Sequence, residues 1–167
     1  EFPFPDKKVN YFENGFDALI NFDLRSTQKE TSQQVFNRYN DILQNEMKGK
    51  SVLNYITSHD DGSPFDKNRK NTWDAGTRLL LTPGISQVYY GDESSRLLEI
   101  DGADGDANLR SFMNWNEIEN NADKKALLHH FQKLGQFRRN HPAVGAGKHT
   151  DLQNDPYIFH RKYERSE

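Results

Sequence analysis

Short apolar runs and longer runs at helical spacing alternate along this chain. Residues 16–24, Phe-Asp-Ala-Leu-Ile-Asn-Phe-Asp-Leu, follow an Asn14-Gly15 turn signal and predict a first strand. Residues 31–48 then place Val35, Phe36, Tyr39, Ile42, Leu43 and Met47 on one helical face, with Gly49 as the stop. Residues 52–57 predict a second strand. A helix over about 72–81 follows, ended by Pro83-Gly84. A third strand is expected over 85–90 and a last long helix over about 122–140, closed by His141-Pro142. Residues 157–163 alternate in the manner of a strand from a separate, antiparallel unit.

The order β-α-β-α-β-α predicts a parallel sheet with right-handed crossover helices, its three strands adjacent in sequence order. Three strands cannot close a barrel and leave edges exposed, so the chain reads as part of a larger α/β fold. The long segment between Tyr90 and Ala122 is expected to be an insertion over the active face.

Composition narrows the partners. The 167 residues suit one ordinary domain or a portion of a bigger one. Apolar residues make up only 34%, but 11 Phe, 7 Tyr and 2 Trp argue against disorder. A net charge of −3 offers no basic excess for nucleic acid, and none is expected as a partner. No apolar stretch nears the roughly 20 residues of a membrane span. Without cysteine there are no disulfides or thiolate metal sites, and the compartment stays open because no signal peptide is visible.

The chemistry concentrates in Ser51-Val-Leu-Asn-Tyr-Ile-Thr-Ser-His-Asp-Asp-Gly62, where an apolar run stops at His59-Asp60. At the carboxyl end of a parallel strand such residues are catalytic suspects. A plain strand followed by an Asx turn would need only Asp61 and Gly62. The acidic loop Asp101-Gly-Ala-Asp-Gly-Asp106 lacks the closing Glu and the spacing of an EF-hand loop, so a solvated turn is expected and no metal ligand is assigned.

Several segments together resemble one family. Tyr55-Ile-Thr-Ser-His-Asp60 is similar to the His-Asp signature of the α-amylase family of glycoside hydrolases. Thr82-Pro-Gly-Ile-Ser-Gln-Val-Tyr-Tyr-Gly-Asp-Glu93 resembles that family's eighth barrel strand, and Arg110-Ser-Phe-Met-Asn-Trp115 the stretch that often follows it. Leu134-Gly-Gln-Phe-Arg-Arg-Asn-His-Pro-Ala143 is similar to the eighth helix, and Gly15-Phe-Asp-Ala-Leu-Ile-Asn-Phe22 to the sixth strand. The ordered set covers nearly the whole chain.

The resemblance implies a partial (β/α)8 barrel, strands six to eight with their helices, over residues 1–144. The start of an antiparallel C-terminal β domain would follow over 145–167. It implies a retaining hydrolase of starch-like α-glucan oligosaccharides or polysaccharides, present here as a fragment expected to be inactive alone. It makes Asp60 the third carboxylate that grips the sugar, with His59 beside it. Arg69 and Arg110 are implied either to contact sugar or to hold carboxylates. Asp92 and Glu93 either stabilise their loop or line the cleft; Tyr89, Tyr90, Trp73 and Trp115 are candidates for stacking on sugars.

The nucleophilic Asp has no counterpart. Glu1 stands at about the spacing of the general acid; the other reading of Glu1-Phe2 is a truncation point or a cloning remnant. No cofactor is evident in this segment, though calcium could belong to a part that is missing, and a secreted or periplasmic location fits the family. Two alternatives stand beside this reading: a non-catalytic binding or chaperone-like relative of the same fold, and an α-glucan transglycosylase.

Overall fold

The computed structural model describes the backbone of residues 3–4 and residues 11–166. Glu1 lies outside the described residues. Four parallel strands form one sheet in sequence order: β1 (Pro3–Phe4), β2 (Ala18–Asn21), β3 (Ser51–Asn54) and β4 (Ile85–Ser86). Leu19 pairs with Val52, Asn21 with Asn54, and Leu53 with Ile85. The three expected strands are therefore adjacent and parallel, and a two-residue strand that the apolar pattern did not reveal precedes them.

Alternation decides which face is covered. Val52 is buried in one cluster with Val35, Phe36 and Tyr39 of α1 (Ser32–Asp41) and with Ala75 and Leu79 of α2 (Thr72–Leu81). Ala18, Ile20 and Leu53 point the other way and are only half-buried. A buried ladder of amides crosses the sheet: Asn21 Nδ2 donates to Asn54 Oδ1 at 2.6 Å, and Asn54 Nδ2 donates to the Pro83 carbonyl at 2.8 Å. Both amides thus find partners, as buried polar groups must. Gly84, at φ 104°, sits so close that a Cβ there would lie 2.9 Å from the Val52 carbonyl oxygen.

The strands are shorter than their apolar runs, for local reasons. After β2 the Asn21 side chain accepts from the Asp23 amide at 3.0 Å and turns the chain into a short 3-10 turn. Beyond β4, Gln87 still donates its amide to the Asn54 carbonyl at 2.8 Å. Tyr89 and Tyr90 then leave for a turn at Gly91. β4 is the edge of the described sheet, and Ile85 and Val88 are exposed on it.

α1 starts at a capping box between Thr31 and Gln34, and the expected helix to residue 48 changes into a π-helical turn over Ile42–Glu46. Asp66, in the loop ahead of α2, is buried. Its carboxylate accepts from the amides of Lys70 and Asn71 and from the Thr72 hydroxyl, at 2.9–3.0 Å. The segment after β4 folds back through two 3-10 turns and α3 (Trp115–Asn120) into α4 (Ala122–Asn140), which packs on α2 where Gly76 makes room for the Phe131 ring.

After α5 (Ala143–Ala146) come β5 (Lys148–Asn154) and β6 (Tyr157–Lys162), an antiparallel hairpin. β6 was expected from its alternation; β5 is mostly polar and gave no such signal. The hairpin is held to α1 by a polar network. His149 accepts at Nδ1 from Arg161 Nε (2.9 Å), and its Nε2 lies 2.9 Å from Asp151 Oδ1. Asp151 Oδ2 in turn accepts from Gln33 (2.8 Å) and Asn37 (2.7 Å).

Candidate functional site

Parallel strands deliver their carboxyl ends to one side of the sheet, and the chain leaving β3 runs on there through Ser58-His59-Asp60-Asp61. The half-buried residues Ala18, Ile20 and Leu53 with Phe22 and Tyr55 wall a cavity of about 440 Å³, and Ser58, His59, Asp60 and Gln87 supply its polar lining. An apolar wall with a few convergent polar groups is the usual make-up of a small-molecule site.

The consecutive acids are used differently. Asp60 is 44% exposed, with Oδ2 3.5 Å from His59 Nε2, and its Oδ1 accepts from the Ser58 hydroxyl at 2.9 Å. The serine steadies one oxygen and the other faces the histidine. Asp61 is turned aside into an ion pair with Arg25; it also accepts from the Tyr55 hydroxyl at 3.2 Å and from the Ser63 amide at 2.9 Å. The Ser63 contact is the expected Asx turn, while the Arg25 pair was not visible in the sequence. Burial pushes the Tyr55 phenol up to about 12, against the opposing Arg25 bond, so it remains a donor.

Arg110 reaches the same place from the long segment after β4. Its Nε donates to the His59 carbonyl at 3.0 Å. This segment is clamped by Arg96, which sequence reasoning passed over. Fully buried, Arg96 donates to the carbonyls of Tyr90 (3.0 Å), Leu109 (3.1 Å) and Ser111 (3.1 Å) and to the Ser111 hydroxyl, and its guanidinium lies 4.0 Å from the centre of the Tyr90 ring. Tyr89 and Tyr90 add hydroxyl bonds to the Leu109 and Ser111 carbonyls, at 3.1 and 2.9 Å. An arginine in Ser94-Ser-Arg96 has no distinctive signal; only Gly91 just before it hints at a close approach.

Arg69 is placed elsewhere. Its side chain is 3% exposed, with NH1 2.9 Å from Asp92 Oδ1 and Nε donating to the Arg96 carbonyl at 2.8 Å. Of the two roles expected for Arg69, the geometry has it holding a carboxylate; as described, its side chain is not presented at the cavity surface. Asp92 is fully buried, which pushes its carboxyl pKa up while Arg69 and the Thr57 hydroxyl pull it down. Glu93 accepts from the Gly91 amide at 2.9 Å, in support of the turn. Trp73 packs against His130 with ring centroids 4.4 Å apart and planes tilted by 40°, and Trp115 is exposed at the start of α3. Among the described residues no group of three or more His, Cys, Asp or Glu comes together to hold a metal ion, and no helix is long and apolar enough to cross a membrane.

No model of a protein family matches the chain. It is 38% identical over 152 residues to the periplasmic alpha-amylase of Escherichia coli strain K12, an alignment covering 86% of this chain and 21% of that protein. Among solved structures it resembles an Anoxybacillus alpha-amylase (TM-score 0.63, 23% identity, 93% of this chain and 35% of that one). It also resembles the alpha-amylase from H.orenii (TM-score 0.61, 20% identity, 93% and 38%) and AmyP in complex with maltose (TM-score 0.59, 17% identity, 89% and 38%). The fold is thus the α/β architecture of these alpha-amylase structures, and the chain belongs to the α-amylase family of glycoside hydrolases, matching part of its members' length. It spans about a fifth of the curated relative.

Proposed function

We propose that this chain is the carboxyl-terminal portion of the catalytic barrel of an α-glucan hydrolase that acts with retention of configuration. β2, β3 and β4 correspond to barrel strands six, seven and eight, residues 1–144 to the barrel portion, and residues 145–167 to the start of a β domain. The observation that carries this reading is His59-Asp60 at the mouth of an apolar cavity where a parallel strand ends, in a chain 38% identical to an alpha-amylase. The uncovered edge of β4 and the open apolar face of the sheet suit a barrel completed by further strands.

Asp60 grips sugar hydroxyls. Its carboxylate, steadied by Ser58, offers an oxygen for charge-assisted hydrogen bonds that strengthen as the ring distorts toward the oxocarbenium-like transition state. His59 donates to the same hydroxyls, its backbone held by Arg110. Retaining enzymes pair a nucleophile with an acid about 5–5.5 Å away; the nucleophile comes from elsewhere in the protein and Glu1 is the candidate acid in this chain, so the segment alone should not turn over. Maltooligosaccharides are the substrate class, a reading supported by relatives solved with maltose and maltotriose. An extracytoplasmic location follows the periplasmic relative.

The test is to follow maltooligosaccharide cleavage by proton NMR with the full-length protein and with residues 1–167 alone. The α-anomer should form first with the former, and no reducing sugar should appear with the latter. Initial formation of the β-anomer, or turnover by the segment, would overturn the assignment.

A further inference from the structure

Gln87 follows directly on β4, at the carboxyl end of that strand, and alternation settles which way it faces. The Ser86 hydroxyl donates to the Leu79 carbonyl of α2 at 2.9 Å, so Ser86 is turned toward the helices. Its successor is turned to the other side of the sheet. There Gln87 lines the same cavity as Ser58, His59 and Asp60, and its backbone amide is fixed by the 2.8 Å bond to the Asn54 carbonyl. The other three polar residues come from the segment after β3; Gln87 brings its group from the neighbouring strand.

This placement does nothing for the fold. The cavity wall around Gln87 is carbon, from Ile20, Phe22 and Leu53 among others. Gln87 is half-buried, and among the described residues its one hydrogen bond is the backbone one. Ser58, by contrast, is engaged with the Asp60 carboxylate. A side-chain amide without a protein partner on an apolar wall is a poor choice for stability. Such local conflicts are kept where function needs them, and the carboxyl end of a barrel strand is where function sits. The group itself suits a hydroxyl: its NH2 donates, its oxygen accepts, and neither changes charge.

We propose that Gln87 is a substrate-contacting residue, whose side-chain amide hydrogen-bonds a hydroxyl of the α-glucan unit held at His59-Asp60. The ligand class rests on the function proposed above. Gln87 is neutral and makes or breaks no covalent bond, so its contact supports ground state and transition state alike.

The experiment uses the full-length protein with Gln87→Met and Asp60→Asn, in steady-state kinetics on maltooligosaccharides and in thermal melts. Gln87→Met keeps the length of the side chain and removes both polar atoms. It should raise KM roughly 5- to 50-fold with kcat near normal, because binding is lost equally from both states. Its Tm should hold or rise, since no bond within the protein is lost. An unchanged KM would show that the amide meets no sugar, and a lower Tm that its partner lies within the protein; either result overturns the proposal. The underlying reading fails separately, if Asp60→Asn keeps normal turnover, and the KM and Tm of Gln87→Met still decide for Gln87 in that case.

Discussion

Arg69 and Asp92 meet at 2.9 Å with side chains 3% and 0% exposed, and they join the loop after β3 to the turn after β4. A pair so fully removed from water owes little to net attraction, because desolvation opposes it. Its effect is positional: Arg69 NH1 reaches both Asp92 Oδ1 and, at 3.5 Å, the hydroxyl of Thr57, two residues before His59, while its Nε holds the Arg96 carbonyl, so the pair references the segment after β3 to the Arg96 turn.

Breaking this pair from one side should be costly. Asp92→Asn leaves the Arg69 charge buried without its partner and should lower unfolding stability by about 3–5 kcal/mol, read by urea denaturation. The double replacement Arg69→Met with Asp92→Leu should recover much of that loss. Equal destabilisation by the single and double variants would mean that the pair itself contributes nothing.

The strand order was legible because each apolar run ends at a turn or a polar cluster and each helix carries a stop. β1 was not, since two residues make no pattern, and β5 was not, since Lys148-His-Thr-Asp-Leu-Gln-Asn154 is polar and gains its place through Asp151 bonding to α1. At the candidate site, the place of His59 and Asp60 beside the cavity was legible because polar residues follow directly on an apolar run. The burial of Arg69, Asp92 and Arg96 could not, because it depends on how separate loops fold over one another. Asp61 looked like a turn residue and is one, but its pair with Arg25 is long-range and leaves no local trace.

The two neighbouring acids should therefore respond differently in the full-length protein. On the proposed function, Asp60→Asn removes a charge that acts mostly in the transition state, worth about 2–4 kcal/mol, so kcat should fall roughly 30- to 1,000-fold with KM changed less. Asp61→Asn loosens Arg25 and Tyr55 and should lower Tm while leaving kcat near normal. Steady-state kinetics beside a thermal melt separates them; a sensitive kcat at Asp61 would put the strand end off by one residue.

Acid should loosen the hairpin from α1. Burial, then the Arg161 charge, hold the His149 pKa below its usual value, since its Nδ1 already accepts from Arg161. Burial alone would raise the Asp151 carboxyl, but donors from Gln33, Asn37, Tyr157 and His149 outweigh it and lower it to about 2. Both folded values are depressed, so both contributions are complete above the unfolded values. The His149 part is lost as pH falls below about 6.5, and the Asp151 part between about 4 and 2. Tm measured against pH should fall in those two windows, and Asp151→Asn should flatten the lower one. A Tm that rises on acidification from pH 7 to 5 would contradict the assignment.

Gly91 tests the clamp that carries Arg110 to His59. It sits at φ 89°, and a Cβ there would overlap the Arg96 side chain. Gly102, at φ 75°, has nothing within 4 Å of a Cβ. Both replacements by alanine impose the left-handed conformational penalty, about 1–2 kcal/mol. Only Gly91→Ala adds the overlap, typically a further 1–3 kcal/mol, and it displaces the guanidinium that holds the Leu109 and Ser111 carbonyls. Gly91→Ala should therefore destabilise more than Gly102→Ala in urea. It should also open the segment between Glu93 and Asn114 to limited proteolysis, since a loop freed of its anchors is cleaved first. Equal stability losses with equal protease resistance would show that Arg96 adjusts freely and that the segment does not depend on it.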